Sequence, residues 1–86
     1  MWKIVYTKQA LKDKRLLEQT DLALKARALV AVLAQNPYQT PPPYEKLQGE
    51  KDAYSRRINR QHRLVYRIYQ AEKTVMIARM WTHYEK

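Results

Sequence analysis

The 86-residue sequence has no cysteine, a single glycine and four prolines, and only eight acidic residues against seventeen basic ones. Without cysteine there is no disulfide and no thiolate metal site, and nothing asks for an oxidising compartment. No stretch approaches the roughly 18 apolar residues of a membrane span, and the opening MWKIVY is too short and too mixed for the apolar core of a signal peptide. A cytoplasmic location with no membrane partner is therefore expected. The glycine and all four prolines fall within residues 37–49, which leaves the rest of the chain to periodic structure. A single domain spanning 1–86 fits this length, burying roughly 60 to 65% of the surface exposed when unfolded.

The scarcity of acid is uneven. Residues 1–53 hold nine basic and six acidic side chains, whereas residues 54–86 hold eight basic ones against Glu72 and Glu85. Six of the eight arginines lie from Arg56 onward, while the first part is mostly lysine. The planar arginine fork suits bidentate phosphate contacts, so a polyanion, RNA or DNA, is the first partner to consider.

Alternation in WKIVYT predicts a strand, and Thr7 can cap a helix from Lys8 whose apolar side is Ala10, Leu11, Leu16 and Leu17. A second helix, capped by Thr20 or Asp21, carries Leu22, Ala26, Leu29, Val30 and Leu33 as one stripe and stops at Asn36 and Pro37. The proline-rich segment that follows delivers Tyr44 and Glu45 from a stiff loop. Period-2 patterning then predicts strands at 54–59, 63–69 and 74–82. The expected fold is α+β, order β-α-α-β-β-β, with two N-terminal helices on one face of a four-stranded antiparallel sheet.

Within YSRRINRQHRLVY, Arg56, Arg57, Arg60 and Arg63 crowd one hairpin. Leu64, Tyr66 and Ile68 form the core set of their strand, so Arg63, Val65 and Arg67 face the other way. If Ile58 also points inward, Arg57 and Asn59 share the outer surface with Arg63, about one diagonal apart. An anion site that collects phosphates is one reading, with Arg56 and Arg57 as RNA phosphate binders. Structural ion pairing with Glu45, Glu50 or Asp52 of the loop is the other. At the far end, His83 continues the parity of Val75, Ile77 and Arg79.

The run YEKLQGEKDAYSRRINRQHRLVYRIY followed by THY resembles the Txe/YoeB family of bacterial toxins in the RelE superfamily. SRRI, HRLVY and HY stand at the expected relative spacing. PPPYEKL replaces the usual Pro-Glu-Pro-Leu-like loop, Tyr54 stands where tryptophan is common, and Glu85 and Lys86 extend the usual His-Tyr end. The resemblance implies a microbial-ribonuclease-like fold and a ribosome-dependent endonuclease that cuts mRNA at the A-site codon. It also implies inhibition by a cognate acidic antitoxin of the YefM/Phd type, and homodimers are common in the family. By position, Glu45 matches the catalytic glutamate, Arg63 the catalytic arginine, Arg57 a phosphate-binding arginine, and His83 with Tyr84 the terminal catalytic pair.

Those roles suit RNA chemistry. Cleavage through the 2′-hydroxyl needs a base for its proton, cations for the added negative charge at phosphorus, and an acid for the departing 5′-oxygen. Glu45, the arginines and His83 can supply them, and neither a metal nor another cofactor is called for. Neighbouring positive charge should keep His83 largely neutral until a phosphate arrives. A basic RNA- or ribosome-binding module without catalysis is the alternative from another class.

Overall fold

The computed structural model describes residues 1–80, and its elements follow the order expected from the sequence. They are β1 (Lys3–Tyr6), α1 (Lys8–Leu17), α2 (Ala23–Gln35), β2 (Glu45–Lys46), β3 (Ala53–Arg57), β4 (Arg63–Tyr69) and β5 (Thr74–Arg79). The strands form one sheet, β1-β5-β4-β3-β2. The α+β class with two helices holds; the sheet gains a fifth strand, the two-residue β2, and one parallel pair, β1 with β5. Side-chain alternation specifies which face a residue takes but not which edge a strand joins. The two helices carry the chain from β1 to the far edge, and three antiparallel steps then return it to β5, running parallel to β1.

The core lies between the helices and one sheet face. Ala10, Leu17, Ala26, Leu29 and Leu33 meet Ile58, Leu64, Tyr66, Ile68, Val75, Ile77 and Met80, all nearly excluded from water. The α2 stripe is the expected one, with Leu22 and Val30 at its margin. In α1 the buried line is instead Ala10, Asp13 and Leu17, at helical spacing, while Leu11 and Leu16 are exposed. Thr7 caps α1 by accepting from the Ala10 amide at 3.0 Å, and its hydroxyl donates to the Ala78 carbonyl at 2.9 Å, so the cap also ties α1 to β5. Neither Thr20 nor Asp21 is the α2 cap; Leu22 occupies that place without a side-chain bond, and the Thr20 hydroxyl accepts from the Leu22 amide at 3.1 Å.

Asp13 is a carboxylate inside this core. Its Oδ2 accepts from the Met80 amide at 3.0 Å and from Arg79 Nε at 2.9 Å, and its Oδ1 from the Gln9 amide nitrogen at 3.2 Å. Asp13 thereby pins the end of β5 to α1. Removing it strands a buried N–H and uncouples a half-exposed arginine. Asp13→Ala should therefore lose about 2–3 kcal/mol in urea unfolding, and a loss below about 0.5 kcal/mol would contradict the anchoring role.

Tyr66 is fully buried at the sheet centre, stacked on Tyr54 with ring centroids 6.0 Å apart. Burial raises its pKa above the ordinary 10.0, and the adjacent Arg56 only partly offsets this. The folded chain thus holds this proton to higher pH than the unfolded chain, so its contribution is complete below the unfolded pKa and is lost as pH rises through the folded one. Stability measured between about pH 9 and about pH 11 should fall less steeply in Tyr66→Phe than in the parent. Equal slopes would contradict it.

Candidate active site on the outer sheet face

Strand pairing fixes which side chains meet on the face turned from the helices. Arg57 of β3 lies directly opposite Arg63 of β4, Ser55 opposite Val65, and Ala53 opposite Arg67. The two arginines are thus closer than the diagonal placement expected. Their hairpin is closed by Asn59, whose Oδ1 accepts from the Gln61 and His62 amides at 2.9 and 2.7 Å, an arrangement that suits asparagine at a turn. Glu45 joins this face through β2, where it pairs with Ser55. Between β2 and β3 the chain reverses at Gly49, whose φ of 79° favours glycine.

Arg63 organises the centre. Its Nη1 donates to Glu45 Oε1 at 3.0 Å and to Ser55 Oγ at 3.1 Å. The Arg63 side chain is 17% exposed and that of Glu45 is 66% exposed, so the carboxylate remains open to a ligand while the guanidinium is held from below. Ser55, itself buried, was not singled out from the sequence, although it shares the parity of Arg57 and faces Arg63. Arg57 is exposed and carries no ion pair among the described residues; at the end of β3 it also lines a groove of about 380 Å³ with Lys25, Leu29 and Val32 of α2 and with Pro42 and Pro43. Arg60 is exposed at the turn.

Ion pairing with the loop accounts for two of the outward arginines and not for the third. Arg63 pairs with Glu45 and Arg67 with Glu50, at 3.0 and 2.9 Å, whereas Arg57 faces solvent. Arg56 is the correction. Expected as a phosphate binder, it points to the opposite face and is only 1% exposed. Its Nε donates to the Tyr66 hydroxyl at 2.9 Å, Nη1 to the Pro42 carbonyl at 2.6 Å and Nη2 to the Pro37 carbonyl at 2.9 Å. Three internal acceptors and the Tyr44 ring, 4.9 Å from its guanidinium carbon, leave it no face for RNA. Its parity with Ile58 is the signal in the sequence that points inward. The expected pair His83 and Tyr84 lies outside the described residues.

Arranged this way, the face offers a carboxylate, a cation in contact with it and a second cation one strand away. Such a set can take a proton and hold a phosphate, and comparison with known proteins places it in a family. A family model described as YoeB-like toxin of bacterial type II toxin-antitoxin systems matches residues 6–84. No curated protein matches by sequence. Among solved structures, the YoeB/ParE toxin from Agrobacterium tumefaciens superposes with a TM-score of 0.85 at 27% identity, covering 95% of this chain and 99% of the other. The toxin fold in the YoeB-YefM complex from Staphylococcus aureus is similar at 30% identity and a TM-score of 0.80, covering 98% of this chain and 99% of that one. The Escherichia coli DinJ-YafQ complex, at 24% identity and a TM-score of 0.81, shares the fold over 96% of this chain and 94% of its own. With the family pattern matched over residues 6–84 and the fold shared with YoeB toxins over 95–98% of its length, the chain belongs to the YoeB-like toxins of bacterial type II toxin–antitoxin systems.

Proposed function

We propose that this toxin is a ribosome-dependent endoribonuclease that cuts mRNA at the A-site codon and so stops translation. The observation that carries this reading is the single Arg63 nitrogen shared by Glu45 and Ser55, with Arg57 across the strand pair. When a scissile phosphate arrives, it draws Arg63 toward its non-bridging oxygens and frees the Glu45 carboxylate. Glu45 takes the 2′-hydroxyl proton, the 2′-oxygen bonds to phosphorus, and the bond from phosphorus to the 5′-oxygen breaks. Arg63 and Arg57 neutralise the charge that grows on the phosphorane oxygens. His83 gives a proton to the departing 5′-oxygen, and Tyr84 packs against a base of the substrate. The products are a 2′,3′-cyclic phosphate, or the 3′-phosphate from its hydrolysis, and a 5′-hydroxyl.

The partners follow from the same face and from the +9 net charge. Lys8, Lys12 and Arg15 of α1 contribute to attraction toward ribosomal RNA, an attraction that weakens steeply with salt. In Staphylococcus aureus YoeB is found with YefM and also as a dimer. By analogy the present toxin is held inactive in the cytoplasm by an acidic YefM/Phd-like antitoxin that orders on binding, and it forms homodimers.

Primer-extension mapping of an mRNA in a purified translation reaction tests the reading. Cuts should appear at A-site codons only with ribosomes, and Glu45→Ala, Arg63→Ala and His83→Ala should each lower the rate by about 10²-fold or more with ribosome binding retained. Cleavage that persists in Glu45→Ala and His83→Ala contradicts the assigned roles. Ribosome binding without any cleavage replaces the endonuclease with the non-catalytic RNA-binding module.

A further inference from the structure

We propose that Arg56 is a positioning residue, whose buried guanidinium clamps the proline-rich crossover and thereby fixes the height and register at which Glu45 meets Arg63. This rests on the reading of Glu45 as the base.

The crossover of residues 36–44 contains every proline of the chain, so four of its nine residues have no amide hydrogen to donate. Its own bonds are few: Tyr38 N–H to Asn36 Oδ1 at 3.0 Å, Gln39 N–H to the Asn36 carbonyl at 3.0 Å, and a long contact of 3.4 Å from the Gln39 side chain to the Pro41 carbonyl. Such a segment needs donors from elsewhere, and Arg56 supplies them at both ends. One terminal nitrogen binds the carbonyl of the fully buried Pro37 and the other that of Pro42, three residues before Glu45. The Tyr44 ring lies over the same guanidinium. Tyr44 in turn packs edge-on against Tyr54, which stacks on Tyr66, the third acceptor of Arg56.

The clamp is tight because arginine cannot shed its charge. Among the described residues its side chain donates only to neutral oxygens, and lifting the crossover would leave a buried cation with most of its partners gone. The strand that carries Glu45 cannot substitute for it. β2 has two residues, both exposed, at the edge of the sheet, and it is followed by a single further bond from the Leu47 amide to the Ala53 carbonyl at 2.8 Å. Alternation along β3 links the two faces. Ser55 and Arg57 reach the candidate site while Arg56, between them, reaches under the sheet to the segment that delivers Glu45.

Arg56→Lys keeps the charge and loses the fork, and Tyr66→Phe removes one acceptor and leaves the fork intact, so the pair separates clamp from charge. Amide hydrogen exchange on the full chain should accelerate at Leu47 by roughly tenfold or more in Arg56→Lys, with β4 and β5 amides little changed. Tyr66→Phe should show a smaller change of the same pattern. In single-turnover cleavage on ribosomes, Arg56→Lys should lower the rate at saturation and leave the half-saturating toxin concentration unchanged. Added to Glu45→Gln it should cost nothing further, because the two act through one group. Unchanged exchange at Leu47, acceleration spread evenly over the sheet, or losses that multiply in the double variant would each overturn the proposal. Absence of cleavage by the parent toxin also overturns the catalytic assignment, and selective acceleration at Leu47 then distinguishes failure of the base reading from failure of the clamp.

Discussion

A guanidinium that cannot lose its proton sits at 1% exposure beneath a loop in which four of nine residues have no amide hydrogen to donate. The rest of the site depends on that pairing. Arg56 needs oxygen acceptors in the interior, and the carbonyls of Pro37 and Pro42 need hydrogen-bond donors that the prolines cannot offer one another. Each satisfies the other, and a largely exposed crossover is tied to the buried guanidinium at Pro37 and Pro42. Because Glu45 follows this crossover almost at once, the proposed clamp reaches the candidate base from the opposite face of the sheet.

The hairpin of β3 and β4 divides its arginines by parity alone. Arg57, Arg63 and Arg67 are carried outward with Ser55 and Val65, and Arg56 is carried inward with Tyr54, Leu64 and Tyr66. Like charges at Arg57 and Arg63 face each other across the strands, an arrangement that destabilises a sheet unless something neutralises it. Glu45 does so on one side at 3.0 Å. In the proposed reaction the scissile phosphate does so for both. A second carboxylate, Asp13, works in the same way at the other end of the sheet, where it joins α1 to Arg79 and Met80, three residues before His83.

Much of this was legible in the sequence, for identifiable reasons. Strong alternation in β4 and the clean stripe of α2 specify element type and facing, strand parity puts Arg57 and Arg63 on one surface, and Glu45 is legible only through the family resemblance of its loop. At Arg56 residue type suggests phosphate while strand position suggests burial, and position prevails because the loop offers acceptors. Asp13 was invisible as a core residue because an aspartate between two lysines on a helix reads as solvated until β5 arrives to be capped. The parallel pairing of β1 with β5 depends on where the helices deposit the chain, which periodicity does not encode. The exposure of Leu11 and Leu16 has the same origin, since α1 turns Ala10, Asp13 and Leu17 toward β5 instead.

The proposed reaction is an attack on phosphorus by the substrate's own 2′-oxygen, promoted on the outer face. The most direct measurement places a single 2′-O-methyl nucleotide at the scission position of an mRNA programmed into the ribosomal A site and follows single-turnover cleavage beside the unmodified message. The unmodified strand should be cleaved to a 5′-hydroxyl fragment and the blocked position should not be cleaved. Cleavage of the blocked strand at an undiminished rate, or a 5′-phosphate on the downstream fragment, would contradict it.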